Sequence, residues 1–263
     1  MKAFLKRRWL LLTCVALLAL CGYETWRRYD FAQAQKEARA LGWKWEYDDP
    51  FEAIHKDWKA AFRKATWSDG KRKLVIENGE ELLRHNDLVV RLAPRSLSIW
   101  NAQSLNDLSA LKRLTALQKL YLGGCAGITN LDALKGLTGL QELILRGCTA
   151  LTNVDALKRL TALQELYLDR CTVLTNVDAL KGLTALQELS LIDCAALTNI
   201  DAFKGLTGLH KLYLSGCIDL TNVDALKGLT GLQELAIRGC TGITQKRLTA
   251  LDEALPNADI AWP

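Results

Sequence analysis

Apolar and polar positions repeat along most of this 263-residue chain with a period of 23 residues. One copy, from Leu163 to Leu183, reads LQELYLDRCTVLTNVDALKGL. Leu166 and Leu168 alternate with their neighbours, which predicts a short strand that turns its leucines inward and Tyr167 outward. A fixed period of this length predicts a solenoid in which stacked coils close one continuous core.

After each strand the apolar residues step at intervals of three, as in Leu174, Val177, Leu180 and Leu183. This spacing favours a tight 3₁₀-like segment on the outer, convex side over a long α-helix. The repeat predicts eight strands, near residues 97–99, 120–122, 143–145, 166–168, 189–191, 212–214, 235–237 and 258–260. The final coil departs from the pattern, and we expect a helix at Thr249–Ala254 to cap the array.

The repeated segment resembles the leucine-rich-repeat family, whose pattern is Leu-x-x-Leu-x-Leu-x-x-Asn/Cys-x-Leu. Six consecutive copies match this pattern and two further copies match it loosely. The resemblance implies an α/β leucine-rich-repeat solenoid, with parallel β-strands on the concave face and 3₁₀ or short helices on the convex face. The convex pattern is similar to that of internalin-type bacterial repeats, although the gap from cysteine to leucine is one residue longer. We therefore expect a bacterial source.

Six coils carry a cysteine at the same place: Cys125, Cys148, Cys171, Cys194, Cys217 and Cys240. The family resemblance implies that this position faces inward and hydrogen-bonds the backbone of the turn. A reduced cysteine there is a small buried apolar side chain with a weak donor. Disulfides between adjacent coils are the alternative in an oxidising compartment. A zinc site is disfavoured because its ligands come in close pairs, so we expect no metal and no cofactor.

A second ladder consists of exposed charged residues on the convex side. Aspartates at one repeat position, such as Asp178, are followed three residues later by lysines, such as Lys181. We expect the aspartates to cap the convex turns and to pair with the lysines. Calcium binding is the less favoured interpretation, because one carboxylate per coil supplies too few oxygen ligands.

Residues 1–23 are predicted to be a signal peptide or signal anchor, because Lys2 and Lys6 to Arg8 precede an apolar run from Trp9 to Tyr23. A retained anchor implies a single-pass protein of the cell membrane with its repeats outside the cytoplasm. Cleavage near Cys21 implies a secreted or periplasmic protein instead, and lipidation of Cys21 is a third possibility. A buried helix of a cytosolic protein is the least favoured interpretation.

Residues 24–93 are predicted to form a helical N-terminal cap or linker, followed by the repeat domain at 94–263. We expect helices over 24–41 and from about 49 to 66, a short strand at 74–76 and a helical turn at 80–84. The tryptophans of this region are interpreted as a small core that seals the first coil, with a ligand platform as the alternative. These residues are Trp43, Trp45, Trp58 and Trp67.

Composition and motifs exclude several classes of function. The net charge of +5 is mild, and the chain lacks the basic stripe with interleaved aromatic residues that is typical of nucleic-acid binding. His55, His85 and His210 are scattered, and no nucleophile elbow, phosphate loop or metal motif is present. We therefore expect a non-enzymatic protein without a small-molecule substrate.

The outward positions of the strands are the predicted binding surface for a protein partner. Tyr121, Tyr167 and Tyr213 fall on alternate coils, about 10 Å apart at the usual strand spacing. Tyrosine supplies contact area and one hydrogen bond at interfaces. The predicted partner-binding residues are Trp100, Tyr121, Ile144, Arg146, Tyr167, Asp169, Ile192, Tyr213 and Arg238. A structural spacer of the cell envelope without a specific partner is the alternative function.

Overall fold

The computed structural model describes residues 33–34, 36–41, 44–46, 73–76, 79–99, 103 and 105–262. The predicted signal segment at 1–23, the predicted helix at 49–66 and Trp100 lie outside the described residues. The same holds for Trp43, Trp58 and Trp67, whereas Trp45 lies in a described strand. Among the described residues, no helix combines the length and the apolar character needed to cross a membrane.

The described residues form one sheet whose ten strands follow each other in chain order. The strands are β1 (Lys44–Glu46), β2 (Lys73–Ile76), β3 (Ser96–Ile99), β4 (Lys119–Gly123), β5 (Glu142–Arg146), β6 (Glu165–Tyr167), β7 (Glu188–Ser190), β8 (Lys211–Tyr213), β9 (Glu234–Ala236) and β10 (Asp259–Ala261). Strand β1 is antiparallel to β2, and every later pair is parallel. A parallel sheet in chain order is what a solenoid with one strand per coil produces.

Equivalent leucines lie side by side on neighbouring strands. Leu166 pairs in register with Leu143 on one side and with Leu189 on the other. All three side chains are fully buried. The apolar residues of all the described coils join in a single core, which no coil could close alone. The prediction of a leucine-rich-repeat solenoid is confirmed.

The stack begins upstream of the predicted repeat domain. Leu74 of β2 pairs in register with Leu97 of β3, one period later. Two α-helices, α1 (Gly79–Arg84) and α2 (Asn86–Leu92), connect these two strands where later coils have 3₁₀ segments. Residues 33–34 and 36–40 are also helical, and Ala34 and Ala38 are buried in the common core. The helical segment therefore covers the start of the stack, and the boundary expected at 93/94 falls inside the first parallel coil.

Short 3₁₀ helices form the convex side. They are η1 (Ser109–Arg113), η2 (Asp132–Leu134), η3 (Asp155–Arg159), η4 (Asp178–Gly182), η5 (Asp201–Gly205) and η6 (Asp224–Gly228). The first amide of η2 to η6 donates a hydrogen bond to the side chain of an asparagine two residues earlier, at 2.7–3.2 Å. The capping expected of the aspartates is therefore performed by asparagines such as Asn176, because a side chain two residues back reaches the free amide.

The aspartates of the convex side pair with lysines as expected. Lys135, Lys204 and Lys227 lie 2.6–2.9 Å from the aspartates three residues before them. All of these side chains are exposed, so each pair contributes little to stability.

The final coil shows that the predicted register of the last strand is wrong by two residues. Ile260 pairs with Leu235, which makes this coil 25 residues long, whereas the expected strand at 258–260 places Ala258 opposite Leu235. The cause is α3 (Gln245–Ala254), which replaces the 3₁₀ segment. An α-helix rises about 1.5 Å per residue and a 3₁₀ helix about 2.0 Å, so an α-helical return path needs more residues.

Candidate functional site

The outward side chains of β4 to β9 form three parallel rows on the concave face. The first row holds Lys119, Glu142, Glu165, Glu188, Lys211 and Glu234. The middle row holds Tyr121, Ile144, Tyr167, Ser190, Tyr213 and Ala236. The third row lies at the last residue of β4 and β5 and just after the later strands, and it holds Gly123, Arg146, Asp169, Ile192, Ser215 and Arg238. Backbone hydrogen bonds between coils continue through this row.

Each tyrosine of the middle row is fixed by a glutamate on the next strand. The Tyr167 hydroxyl donates to Glu188 Oε1 at 2.6 Å, and the Tyr213 hydroxyl donates to Glu234 Oε2 at 2.9 Å. Burial and these carboxylates raise the pKa of Tyr213 to about 12. Burial and a hydrogen bond to Glu142 also raise the pKa of Tyr121. The phenols therefore stay protonated near neutral pH and remain donors.

The glutamates of the first row differ in their cationic neighbours. Lys119 Nζ lies 2.6 Å from Glu142 Oε2, and Lys211 Nζ lies 3.6 Å from Glu188 Oε2. Glu165 lies between these two glutamates and accepts a hydrogen bond from the Tyr167 hydroxyl at 3.3 Å. In the described part of the chain, no lysine or arginine forms a salt bridge with Glu165.

Arg146 and Asp169 form the centre of a polar network in the third row. Arg146 Nε lies 2.9 Å from Asp169 Oδ2, and the guanidinium carbon lies 5.4 Å from the centre of the Tyr167 ring. Asp169 is buried and accepts hydrogen bonds from the Ser190 hydroxyl and from the Ile192 amide. It therefore links three coils, and most of its acceptor capacity is used inside the protein.

The structure places the described members of the predicted partner-binding set on one face but gives them different exposures. Arg146 and Arg238 are exposed, whereas Tyr121, Ile144, Tyr167, Ile192 and Tyr213 are half-buried. Asp169 is buried, which its sequence position alone does not indicate. The predicted set omits Glu142, Glu165 and Glu188, although their outward strand positions place them on the same face.

The six ladder cysteines lie inside the solenoid, are buried and form no disulfide. The thiols of Cys171, Cys194, Cys217 and Cys240 donate to backbone carbonyls of the preceding coil at 3.0–3.4 Å. Burial raises the pKa of Cys217 to about 12. Across the described residues, no group of three or more His, Cys, Asp or Glu side chains is arranged to hold a metal ion.

The residue before each ladder cysteine has a left-handed backbone. Four coils use glycine there, namely Gly124, Gly147, Gly216 and Gly239. The two central coils instead carry Arg170 and Asp193, with φ values of 60° and 59°. Their side chains are exposed at the rim of the concave face and lie 3.8 Å apart. This conformation is unfavourable for residues other than glycine.

Two solved structures show the same architecture. Internalin C2 from Listeria monocytogenes is 25% identical over 73% of this chain and 80% of its own, with a TM-score of 0.57. The leucine-rich-repeat domain of the type III effector XopL is 21% identical over 90% of this chain and 95% of its own, with a TM-score of 0.57. No curated protein matches the sequence significantly.

A family model also matches the repeats. It describes the BspA type Leucine rich repeat region and matches six copies across residues 101–244, more than half of the chain. Together with the likeness to internalin C2, this confirms the resemblance to bacterial, internalin-like leucine-rich repeats. The chain belongs to the BspA-type leucine-rich-repeat family.

Proposed function

We propose that this protein is a non-enzymatic protein-binding module that holds a partner on its concave face. The observation that carries the proposal is the row of three half-buried tyrosines, Tyr121, Tyr167 and Tyr213, each fixed by a glutamate of the next coil. Tyrosine side chains held in one rotamer lose little conformational entropy when a partner covers them. The open face of a parallel sheet offers such side chains to a large surface rather than to a small molecule.

The family supports this proposal. Stacked repeats create extended surfaces that suit contact with another protein. The similarity to internalin C2, a protein of Listeria monocytogenes, supports a bacterial source.

The test is affinity capture with purified full-length protein. A triple variant, Tyr121→Ala with Tyr167→Ala and Tyr213→Ala, should lose the partner that the wild type captures. A matched convex variant, Lys135→Ala with Lys204→Ala and Lys227→Ala, should retain it, because these exposed lysines lie on the opposite side. Equal capture by both variants would contradict the assignment of the concave face. Capture of no specific partner by any form would favour the structural spacer.

We also propose that residues 1–23 export the repeats and tether them to the cell envelope. The support is the basic start followed by an apolar run in the sequence. Membrane fractionation combined with N-terminal sequencing should recover an intact N-terminus in the membrane fraction. A soluble product that begins after residue 21 would instead indicate cleavage, and a blocked, lipid-modified Cys21 would indicate a lipoprotein.

A further inference from the structure

The middle of the concave face carries a distinct charge pattern. Glu142, Glu165 and Glu188 lie directly beside each other on β5, β6 and β7. Adjacent strands are about 4.8 Å apart. Like charges at directly opposed positions of a sheet are destabilising. The arrangement is therefore unfavourable unless cations compensate it.

Among the described residues, cations compensate the two outer glutamates of this group. Lys119 pairs with Glu142 at 2.6 Å, and Lys211 approaches Glu188 at 3.6 Å. Glu165 is the glutamate of the first row that has a glutamate on both neighbouring strands. Its bond from Tyr167 is the longer of the two that this hydroxyl makes, 3.3 Å against 2.6 Å to Glu188. A carboxylate has acceptor sites for about four hydrogen bonds, so Glu165 keeps free capacity.

The cation that lies over the Tyr167 ring is committed elsewhere. Arg146 extends toward Asp169, with a separation of 2.9 Å, and lies over the Tyr167 ring. This contact also shows that a cationic side chain fits against the tyrosine row of this protein. Within the described part of the chain, this face therefore combines a tyrosine that accepts a cation with a neighbouring carboxylate that has none.

We infer that Glu165, between Glu142 and Glu188, receives a lysine or arginine side chain of the partner protein. The inference rests on the proposed function and names the chemistry of its partner: a protein segment with an exposed basic residue. The incoming cation relieves the repulsion among the three carboxylates and satisfies Glu165 in one contact. Charge-assisted hydrogen bonds of this kind are among the stronger contacts at interfaces.

The experiment uses a random-peptide library displayed on phage, selected on immobilised full-length protein. Selected peptides should be enriched in lysine or arginine and should bind E165Q at least about tenfold more weakly than the wild type, the effect of one lost charge-assisted contact. E253Q is the matched control, because Glu253 is an exposed glutamate of α3, which takes the place of a convex 3₁₀ segment, and lies outside the three concave rows. E253Q should bind the peptides as the wild type does.

The other outcomes separate the two proposals. Some selected peptides could require the three tyrosines, as shown by lost binding to the triple variant, and yet lack basic residues or bind E165Q as well as the wild type. That result would overturn the inference about Glu165 and leave the concave site intact. Selection of peptides that the triple variant binds as well as the wild type would overturn both. Thermal unfolding of E165Q should match or exceed that of the wild type, since a repulsive charge is removed, so weaker binding cannot be assigned to misfolding.

Discussion

The buried thiol ladder makes the stability of the fold sensitive to alkaline pH, and Cys217 is the best position at which to measure this. Its side chain is fully buried, and burial raises its pKa from 9.0 to about 12. Below pH 9 the thiol is protonated in both the folded and the unfolded chain. Above pH 9 the unfolded chain ionises while the folded chain does not, so stability falls as pH rises toward about 12.

The size of the effect follows from the two pKa values. Near pH 10 the unfolded chain gains roughly 1 kcal/mol from ionising this one thiol, and the loss grows by a similar amount for each further pH unit. Cys194 and Cys240, whose pKa values are raised mainly by burial, add losses of the same sign. The tyrosines of the concave face also have raised pKa values. Both the wild type and a cysteine variant carry them, so their effect cancels in the difference between the two unfolding free energies.

The assay is urea denaturation of the wild type and of Cys217→Ser, followed by circular dichroism at pH 8, 9 and 10. The serine hydroxyl does not titrate in this range, so the variant should lose roughly 1 kcal/mol less stability between pH 8 and pH 10 than the wild type. The difference in unfolding free energy between the two proteins at pH 8 separately reports the effect of replacing the thiol with a hydroxyl. In the wild type the sulfur lies 3.2 Å from the Leu191 carbonyl oxygen. Equal alkaline losses in the two proteins would refute the argument that this thiol stays protonated in the fold.

Three further predictions concern stability, each measured by urea denaturation. Replacing Arg170 or Asp193 by glycine should stabilise the protein by about 0.5–1 kcal/mol. The left-handed backbone costs a residue with a side chain about 1–2 kcal/mol, and the greater freedom of glycine in the unfolded chain offsets part of the relief. Phe203→Ala should cost about 3–5 kcal/mol because the ring is fully buried, whereas Phe203→Leu should cost roughly 1 kcal/mol. Asn176→Ala should cost about 1 kcal/mol through its lost bond to the Asp178 amide, and Asp178→Ala should cost much less.

The fold could be predicted from the sequence because one repeat determines every neighbouring contact. Once Leu166 is placed inward on a strand, the fixed period places Leu143 and Leu189 beside it, and the register follows. The prediction failed where the period itself changes. Nothing in the spacing of Ala258 and Ile260 reveals that a longer α-helix returns the chain to the sheet with two additional residues.

Local chemistry was harder to predict than register. Asparagine and aspartate both cap turns, so the sequence of Asn176 and Asp178 leaves two candidates, and the backbone geometry selects the asparagine. The outward direction of Asp169 was predictable, but its burial was not, because Ser190 and Arg146 enclose it from the coils on either side. Contacts between outward residues of different coils depend on side-chain length and rotamer, which a period does not encode.

Binding and stability share residues on the concave face, and this determines how its function can be tested. The bonds from Tyr121, Tyr167 and Tyr213 to glutamates connect β4 with β5, β6 with β7, and β8 with β9. The Arg146–Asp169 pair connects the intervening β5 and β6 coils. Alanine at a tyrosine therefore removes a contact surface and a bond between coils together. Tyrosine-to-phenylalanine variants remove only the bond. If the phenylalanine variants still bind the partner and the alanine variants do not, the partner recognises the rings. If both kinds of variant lose binding, the partner requires the fixed orientation that the glutamates impose.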